Sequence, residues 1–420
     1  MVGVVRFSQG PPPPAPTSPS KLPPVYSACT RRTGRALPDL MRALLAQRTV
    51  LRSSPVALQS EAHRVVTWFA TPCRSACRGL STGPRLRCVM LNAARLDYDG
   101  RINFDRMSAV ADVTRHEVSD PSEVVSRVAG HEVVMNKEMP LPGELIRAFP
   151  PSVKLICEAG TGYNNIDLVA AREKNISVCN VPTYATEAMA HMSLTLVMAL
   201  ACSLWPQAQA LQAGDRTYMQ QCHLGALPHF ELSGKTFGLI GGLGTIGLRV
   251  ASMSLALGMR VVASDLPTTP TGMRADGIEV VSFDDLLERS DFVSVHCPLN
   301  AHTKGLVDAR ALARMKPSAY IVNTARGSII DQPALVEALR ERRIAGAALD
   351  VFGEGSAPPP PLPADSPLFA LDNVILTPHI GWQRLEARQR VVDMCADNIG
   401  AFARGEAPNI DMQTGLPRGR

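Results

Sequence analysis

From residue 133 onward, short apolar runs alternate with longer segments of helical period. "VVMN" (133–136), "VKLICEA" (153–159) and "ISVCNV" (176–181) have the length and β-branched content of buried strands. The segments between and around them, 102–111, 121–129 and 165–174, repeat apolar positions at helical spacing. A longer helix is expected over about 184–204, ended by Pro206. A second series starts at "KTFGLIG" (235–241) and continues through "MRVVASD" (259–265), "EVVS" (279–282), "DFVSVHC" (291–297), "AYIVNTA" (319–325), "GAALDVF" (346–352) and "NVILTP" (373–378). A last helix is expected at about 384–404. Such alternation implies an α/β protein: two doubly wound parallel sheets with helices on both faces. The longest apolar stretch, "MSLTLVMALACSLW" (192–205), is too short to cross a bilayer and fits a buried helix.

The first 85 residues read differently. "GPPPPAPTSPSKLPP" (10–24) is proline-rich, and 41–66 is rich in Arg, Ser, Leu and Ala. Residues 1–85 hold twelve Lys/Arg against two Asp/Glu, so the formal net charge of +5 conceals an acidic remainder of −5. The basic character therefore belongs to an extension, and a nucleic-acid surface is not implied. The extension is expected to be disordered or transit-peptide-like, with Met41 and Met90 as alternative starts. The sequence leaves the compartment open between cytoplasmic and, with the extension as a transit peptide, mitochondrial or plastid. Ten scattered cysteines, with only Cys73 and Cys77 close together, argue against a zinc cluster or a disulfide framework; no metal site is expected.

"GLIGGLGTIG" (238–247) carries the most specific chemistry. A buried strand leads into a G-x-G-x-x-G spacing, a helix follows, and the next strand ends in Asp265, eighteen residues after Gly247. In that setting Gly242 permits the turn, Gly244 lets a pyrophosphate approach the backbone, and Gly247 lets helix and strand pack closely. Asp265 is placed to accept hydrogen bonds from the adenosine ribose hydroxyls and to repel a 2′-phosphate, which favours NAD over NADP. Hydride chemistry on a carbonyl also needs a cation and a proton donor. Arg326 in "VNTARGSIID" (322–331) and His379 in "LTPHIGW" (376–382) each follow a strand, where ligand clefts open in such sheets. A surface ion pair and a loop cap are their structural alternatives.

Taken together, "NKEMPL" (136–141), "GTGYNNIDL" (160–168), "NVPTYATEAMAH" (180–191), "HCPLNAHTKGLV" (296–307), "ALDVF" (348–352), "DNVILTPHIGW" (372–382) and the two motifs above resemble the D-2-hydroxyacid dehydrogenase family, most closely its glycerate dehydrogenase (hydroxypyruvate reductase) branch. The resemblance implies a flavodoxin-like substrate domain from 86–185 and 383–415 and a Rossmann-like cofactor domain from 186–382. It implies that Arg326 anchors and polarises the 2-keto acid and that His379 donates the proton. The backbone N–H groups of Gly160, Thr161 and Gly162 would bind the substrate carboxylate, with Asn136 and Lys137 at a neighbouring cleft-facing strand end, where capping of that strand end is their structural alternative. Around the nicotinamide cofactor it places Thr245, Ile246, His296, Cys297, Pro298 and Thr303, then Thr324, Ala325 and Asp350. Cys297 has no evident base partner, so a nucleophilic role is not expected. His191 stands where the family often has an acid and is given no chemical role.

One departure stands out. The family places a glutamate five residues after the aspartate of "DVF", where it pairs with the histidine. Here that place is Gly355, Glu354 comes one residue early, and a proline-rich insert follows (355–367), expected to be a loop. Glu354 is the expected stand-in; otherwise the pair is broken. The resemblance implies interconversion of a small D-2-hydroxy acid and its 2-keto acid by a homodimer using NAD(H), with hydroxypyruvate/D-glycerate or glyoxylate/glycolate as the pairs. The alternative is an NAD-sensing, corepressor-like binding protein on the same fold. No nucleic acid or membrane partner is expected.

Overall fold

The computed structural model describes residues 85–410 except 226 and 354–361. The N-terminal extension, Glu354 and most of the proline-rich insert therefore lie outside the described residues. The first sheet contains β1 (Leu86–Met90), β2 (Ala111–Arg115), β3 (Val133–Asn136), β4 (Leu155–Glu158) and β5 (Ser177–Cys179), all parallel, in the order β2-β1-β3-β4-β5. The second contains β6 (Thr236–Ile240), β7 (Arg260–Ser264), β8 (Gly272–Met273), β9 (Ile278–Val280), β10 (Phe292–Val295), β11 (Tyr320–Asn323), β12 (Gly346–Leu349) and β13 (Val374–Leu376). Its order is β13-β12-β11-β10-β6-β7-β9-β8, parallel except for the short edge strand β8.

Both sheets are covered on both faces, and the strands bury alternate residues into different cores. In β4, Leu155 and Cys157 enter one core while Ile156 enters the other. In β10, Phe292 packs on one side and Val293 and Val295 on the other. This explains why the central strands read as continuous apolar runs. The helix Thr186–Ala201 links the two halves: Ala188 and Met189 belong to the first sheet's core, whereas Leu194 to Ala201 serve the second. The helix Leu385–Ala403 returns to the first sheet through Val391, Cys395 and Ile399. Arg388 on that helix is 2% exposed and grips Asp99 by two hydrogen bonds of 2.8 and 2.6 Å.

Two local expectations need correction. The helix expected at 102–111 is only Asp105–Val110, and the chain passes directly into β2. That edge strand buries only Ala111 fully, so it carries no apolar run to read. Pro206 does not end the long helix. Ser203 breaks it in a left-handed conformation (φ 47°), and Pro206 sits in the first turn of the next helix, Leu204–Gln212, where its missing N–H costs nothing. His191 is exposed on the long helix, 3.9 Å from Glu187. Among the described residues no single helix is long and apolar enough to cross a membrane; two consecutive helices, 186–201 and 204–212, pass together by length and composition but are bent by 65°.

Candidate active site

In open α/β sheets, ligands collect at the carboxyl ends of strands where the winding reverses. In the first sheet that point lies between β1 and β3, and in the second between β6 and β10. The glycine-rich loop follows β6, and His296–Pro298 follow β10. A Cβ on Gly241 would lie 2.6–2.8 Å from backbone and Cβ atoms of Cys297, so the two loops touch.

The glycines divide the work differently from the expected pattern. The left-handed residue of the turn is Gly241 (φ 73°), one position before Gly242. Gly242 is instead required for packing: its Cβ would meet Leu239 and Ala263 at 2.7–2.8 Å. Gly247 fits the expectation of close approach, since its Cβ would meet the Gly242 backbone at 2.5 Å. Gly244 is the N-cap of the helix Thr245–Ala256 and supplies no side-chain cap. The first N–H groups of that helix, on Thr245, Ile246 and Gly247, therefore have no intrahelical acceptor and face the cleft end of the sheet. The Ile246 side chain itself packs against both the first-sheet core and the core beside β6. Asp265 directly follows β7 and accepts from the N–H groups of Leu243 (3.0 Å) and Leu266 (2.9 Å), one on each oxygen. Each oxygen keeps further acceptor capacity. Asp265 is thus held rigidly beside the glycine loop.

After β10, Thr303 Oγ1 donates to the Pro298 carbonyl (2.6 Å) and accepts from Asn300 N (2.8 Å), fixing the 298–303 loop. Burial pushes the His296 imidazole down to about 4, and its Nε2 has no partner among the described residues. The Cys297 thiol is pushed up to about 11 by burial, consistent with an unreactive role. A nicotinamide dinucleotide fits this surface: uncapped N–H groups, a glycine with room above it, an anchored carboxylate and a neutral imidazole with a spare nitrogen.

Arg326 leaves β11 through a turn that Asn323 clamps. The Asn323 amide donates to the Arg326 carbonyl (2.9 Å), and its oxygen accepts from Ala325 N (3.0 Å). The Arg326 guanidinium reaches the first sheet, and a methyl group on Gly162 would overlap its Nη2. Its Nη1 donates to the Ala325 carbonyl (2.8 Å), while Nε has no hydrogen-bond partner among the described residues. The Gly160–Gly162 loop is held from below: Asn180 donates to the Thr161 carbonyl (2.7 Å), and Val181 N donates to that of Gly160 (2.9 Å). Thr324, by contrast, is 4% exposed and turns its hydroxyl inward to Ser193 (3.0 Å).

His379 follows β13 in a left-handed conformation (φ 55°). Asp350 makes that turn possible. It is 0% exposed, and its carboxylate accepts from Thr377 Oγ1 (2.7 Å), Ile380 N (3.1 Å) and Gly381 N (2.9 Å). Asp350 is thus the staple of the His379 turn, and its Oδ2, which accepts from Gly381 N, keeps further acceptor capacity. Burial pushes the His379 imidazole down to about 4; Glu138 opposes this, while Arg326, Lys137 and Arg95 reinforce it. Its Nδ1 has no hydrogen-bond partner among the described residues.

At the end of β3, Asn136 takes the strand-end capping role. Asn136 is fully buried, and its amide donates to the Met139 carbonyl (2.9 Å) and to Glu158 (2.7 Å), which makes it a strand-end clamp. Lys137 is 2% exposed beneath the Gly160 loop. Its Nζ lies 2.9 Å from Glu138, 3.4 Å from the Tyr184 hydroxyl and 3.8 Å above the centre of the Trp382 ring. Burial would lower its proton affinity, but Glu138, Tyr184 and Glu158 hold it above the ordinary value. Glu138 also meets Arg95 at 2.5 Å. Burial would raise the Glu138 carboxyl, yet Lys137, His379 and Arg95 keep it at about 2. Glu158, fully buried, is pushed up to about 7. Arg95, Glu138, Glu158 and Asn323 were missed by sequence reasoning. Asn323 was legible as a turn-forming residue after a strand; Arg95 and Glu138, 43 residues apart, were not.

Comparisons with known proteins bear on the family. Residues 194–381 match the NAD binding domain of the D-isomer specific 2-hydroxyacid dehydrogenases. A hydroxypyruvate reductase of Blautia hydrogenotrophica is 32% identical over 320 residues, 76% of this chain and 96% of that protein. The chain belongs to the D-isomer specific 2-hydroxyacid dehydrogenase family. It is an oxidoreductase that works with a nicotinamide cofactor on 2-hydroxy acids. A glycerate dehydrogenase of Methylorubrum extorquens is 33% identical, covering 69% of this chain and 88% of that one. Among solved structures, an NADPH-dependent glyoxylate/hydroxypyruvate reductase from Sinorhizobium meliloti, in complex with NADP and malonate, matches with a TM-score of 0.65 and 28% identity, covering 80% of this chain and all of that one. The corepressor-like alternative finds no support among these family members.

Proposed function

We propose that this dehydrogenase reduces a small 2-keto acid, hydroxypyruvate or glyoxylate, with NADH, and catalyses the reverse oxidation of the D-2-hydroxy acid. The observation that carries the reading is the meeting of Arg326 with Gly162, which joins the cofactor-side strand ends to a backbone loop suited to a carboxylate. The N–H groups of the Gly160–Gly162 loop bind the substrate carboxylate. Arg326 grips the keto oxygen and stabilises its developing charge. When bound, the reduced nicotinamide supplies the hydride. His379 delivers the proton to the oxygen. In the free protein its imidazole is held low by burial and by three cations, so it rests neutral at pH 7. An anionic substrate entering beside Arg326 offsets those cations and raises its proton affinity, coupling substrate binding to proton uptake.

NADH is favoured over NADPH because Asp265 stands where a 2′-phosphate would come. The first basic residue that follows it, Arg274, is bonded to Asp276 at 3.0 Å. A homodimer accords with the large apolar side chains left exposed between 198 and 219, among them Trp205 (51%) and Met219 (65%). The test is cofactor oxidation with a panel of 2-keto acids, run with NADH and NADPH. Turnover is expected with NADH and the two- and three-carbon acids. No oxidation with any acid, or preference for NADPH, removes the corresponding part of the proposal. Light scattering checks the dimer.

A further inference from the structure

Lysine is almost never fully buried unless it is paired, yet Lys137 is only 2% exposed. Asn92 fixes its backbone at the end of β3: the Asn92 amide donates to the Lys137 carbonyl, and its oxygen accepts from Lys137 N (3.1 Å). The side chain then reaches three elements. On the side of the first sheet, Nζ lies 3.6 Å from the place a Cβ on Gly160 would occupy, against the start of the loop that follows β4. On the side of the second, it stands 3.8 Å above the centre of the Trp382 ring. Between them it donates to the Tyr184 hydroxyl (3.4 Å), and the Tyr184 and Trp382 rings meet edge to face at 6.4 Å. Trp382 belongs to a fixed turn. Gln383 N closes it by donating to the Ile380 carbonyl (2.9 Å), and Asp350 holds the N–H groups of Ile380 and Gly381. His379 immediately precedes that turn. One ammonium therefore lies against both the 160–162 loop and the turn that carries the imidazole.

We propose that Lys137 is a positioning residue for the reduction: its ammonium ties the Gly160–Gly162 loop to the His379 turn and so fixes the spacing between the bound carboxylate and the proton donor. This rests on the reading of that loop as the carboxylate site and of His379 as the donor. The two parts come from different sheets, the loop following β4 and the imidazole following β13. In a 2-keto acid the carboxylate and the keto oxygen sit on adjacent carbons. An error of about 1 Å between loop and turn therefore misplaces the proton. Glu138, 2.9 Å from Nζ, compensates the buried charge. An apolar side chain of the same length would fill the space, but neither the indole face nor the Tyr184 hydroxyl would draw it into place.

The test is steady-state reduction of hydroxypyruvate and glyoxylate by the full chain, with NADH binding followed separately by fluorescence titration. Lys137→Met keeps the length of the side chain and removes its charge. Its kcat/KM for the keto acid is expected to fall about 10- to 30-fold, through a higher KM as well as a lower kcat, with NADH affinity unchanged. Trp382→Leu breaks the same contact from the other side and leaves Lys137 paired with Glu138, so it carries the test if Lys137→Met fails to fold. A loss of similar size is expected there, whereas Trp382→Phe, which keeps an aromatic face, is expected to retain most of the activity. The double variant Lys137→Met/Trp382→Leu is expected to be no worse than the poorer single variant, because both remove one contact. The proposal is overturned if Lys137→Met or Trp382→Leu lowers Tm but leaves the keto-acid constants in place. It is equally overturned if the two losses multiply in the double variant, or if Trp382→Phe is as impaired as Trp382→Leu. Full activity in His379→Ala overturns instead the reading of the donor, whatever the Lys137 variants do.

Discussion

The two sides of the cleft are built on opposite principles. Beside β6 the surface is made by leaving things out: glycines without side chains, a helix start without a cap, and an aspartate whose oxygens still have capacity to accept. Beside β3 and β4 it is made by packing charge into the interior, where Lys137, Glu138 and Glu158 are all under a tenth exposed and mutually satisfied. The first kind of surface waits for a ligand to complete it. The second already holds its charges in place and offers a field rather than open hydrogen bonds. The comparison teaches that a cofactor with a fixed polar outline is met by bare backbone, whereas a small substrate undergoing proton transfer is met by a rigid set of charges.

The largest test of the charged side is His379→Ala. Turnover of keto acid is expected to fall about 100- to 10,000-fold while NADH binding, followed by fluorescence titration, is unchanged. Equal loss of both would mean that the two sides are not separable. On the backbone side, Gly241→Ala combines a left-handed φ with a Cβ directed into the Cys297 backbone. It is expected to lower Tm by about 5 °C or more and to weaken cofactor binding together with stability. Asp265→Asn is milder: it removes the charge and keeps an acceptor for only one of the Leu243 and Leu266 N–H groups, so the NADH preference over NADPH is expected to shrink by about tenfold or less, read as the ratio of kcat/KM values.

The smallest expected effect concerns the buried acid. Glu158 has its carboxyl raised from 4.5 to about 7 by burial. Between those values the folded state holds a proton that the unfolded state has lost, so its contribution to stability is complete below pH 4.5 and disappears as pH rises through 7. Glu158→Gln removes this dependence. The Tm difference between wild type and variant is therefore expected to favour wild type most at pH 4.5 and to shift toward the variant by pH 8. A difference that does not change with pH would mean that Glu158 is ionised throughout.

The sequence by itself determined what depends on neighbours along the chain. Apolar runs named β3, β4 and the central strands of the second sheet because those strands are buried on both faces, though not the interior strand β1, and the glycine spacing named the dinucleotide loop because one strand, one turn and one helix build it. It could not name β2, whose side chains mostly face solvent, nor assign the left-handed turn to Gly241 rather than Gly242. The contact of Arg326 with Gly162, the stapling of the His379 turn by Asp350, and the chain of charge from Arg95 through Glu138 to Lys137 were decided only by the tertiary structure. Each joins residues far apart in sequence, and a buried charge acts through distance in space, which no spacing along the chain records.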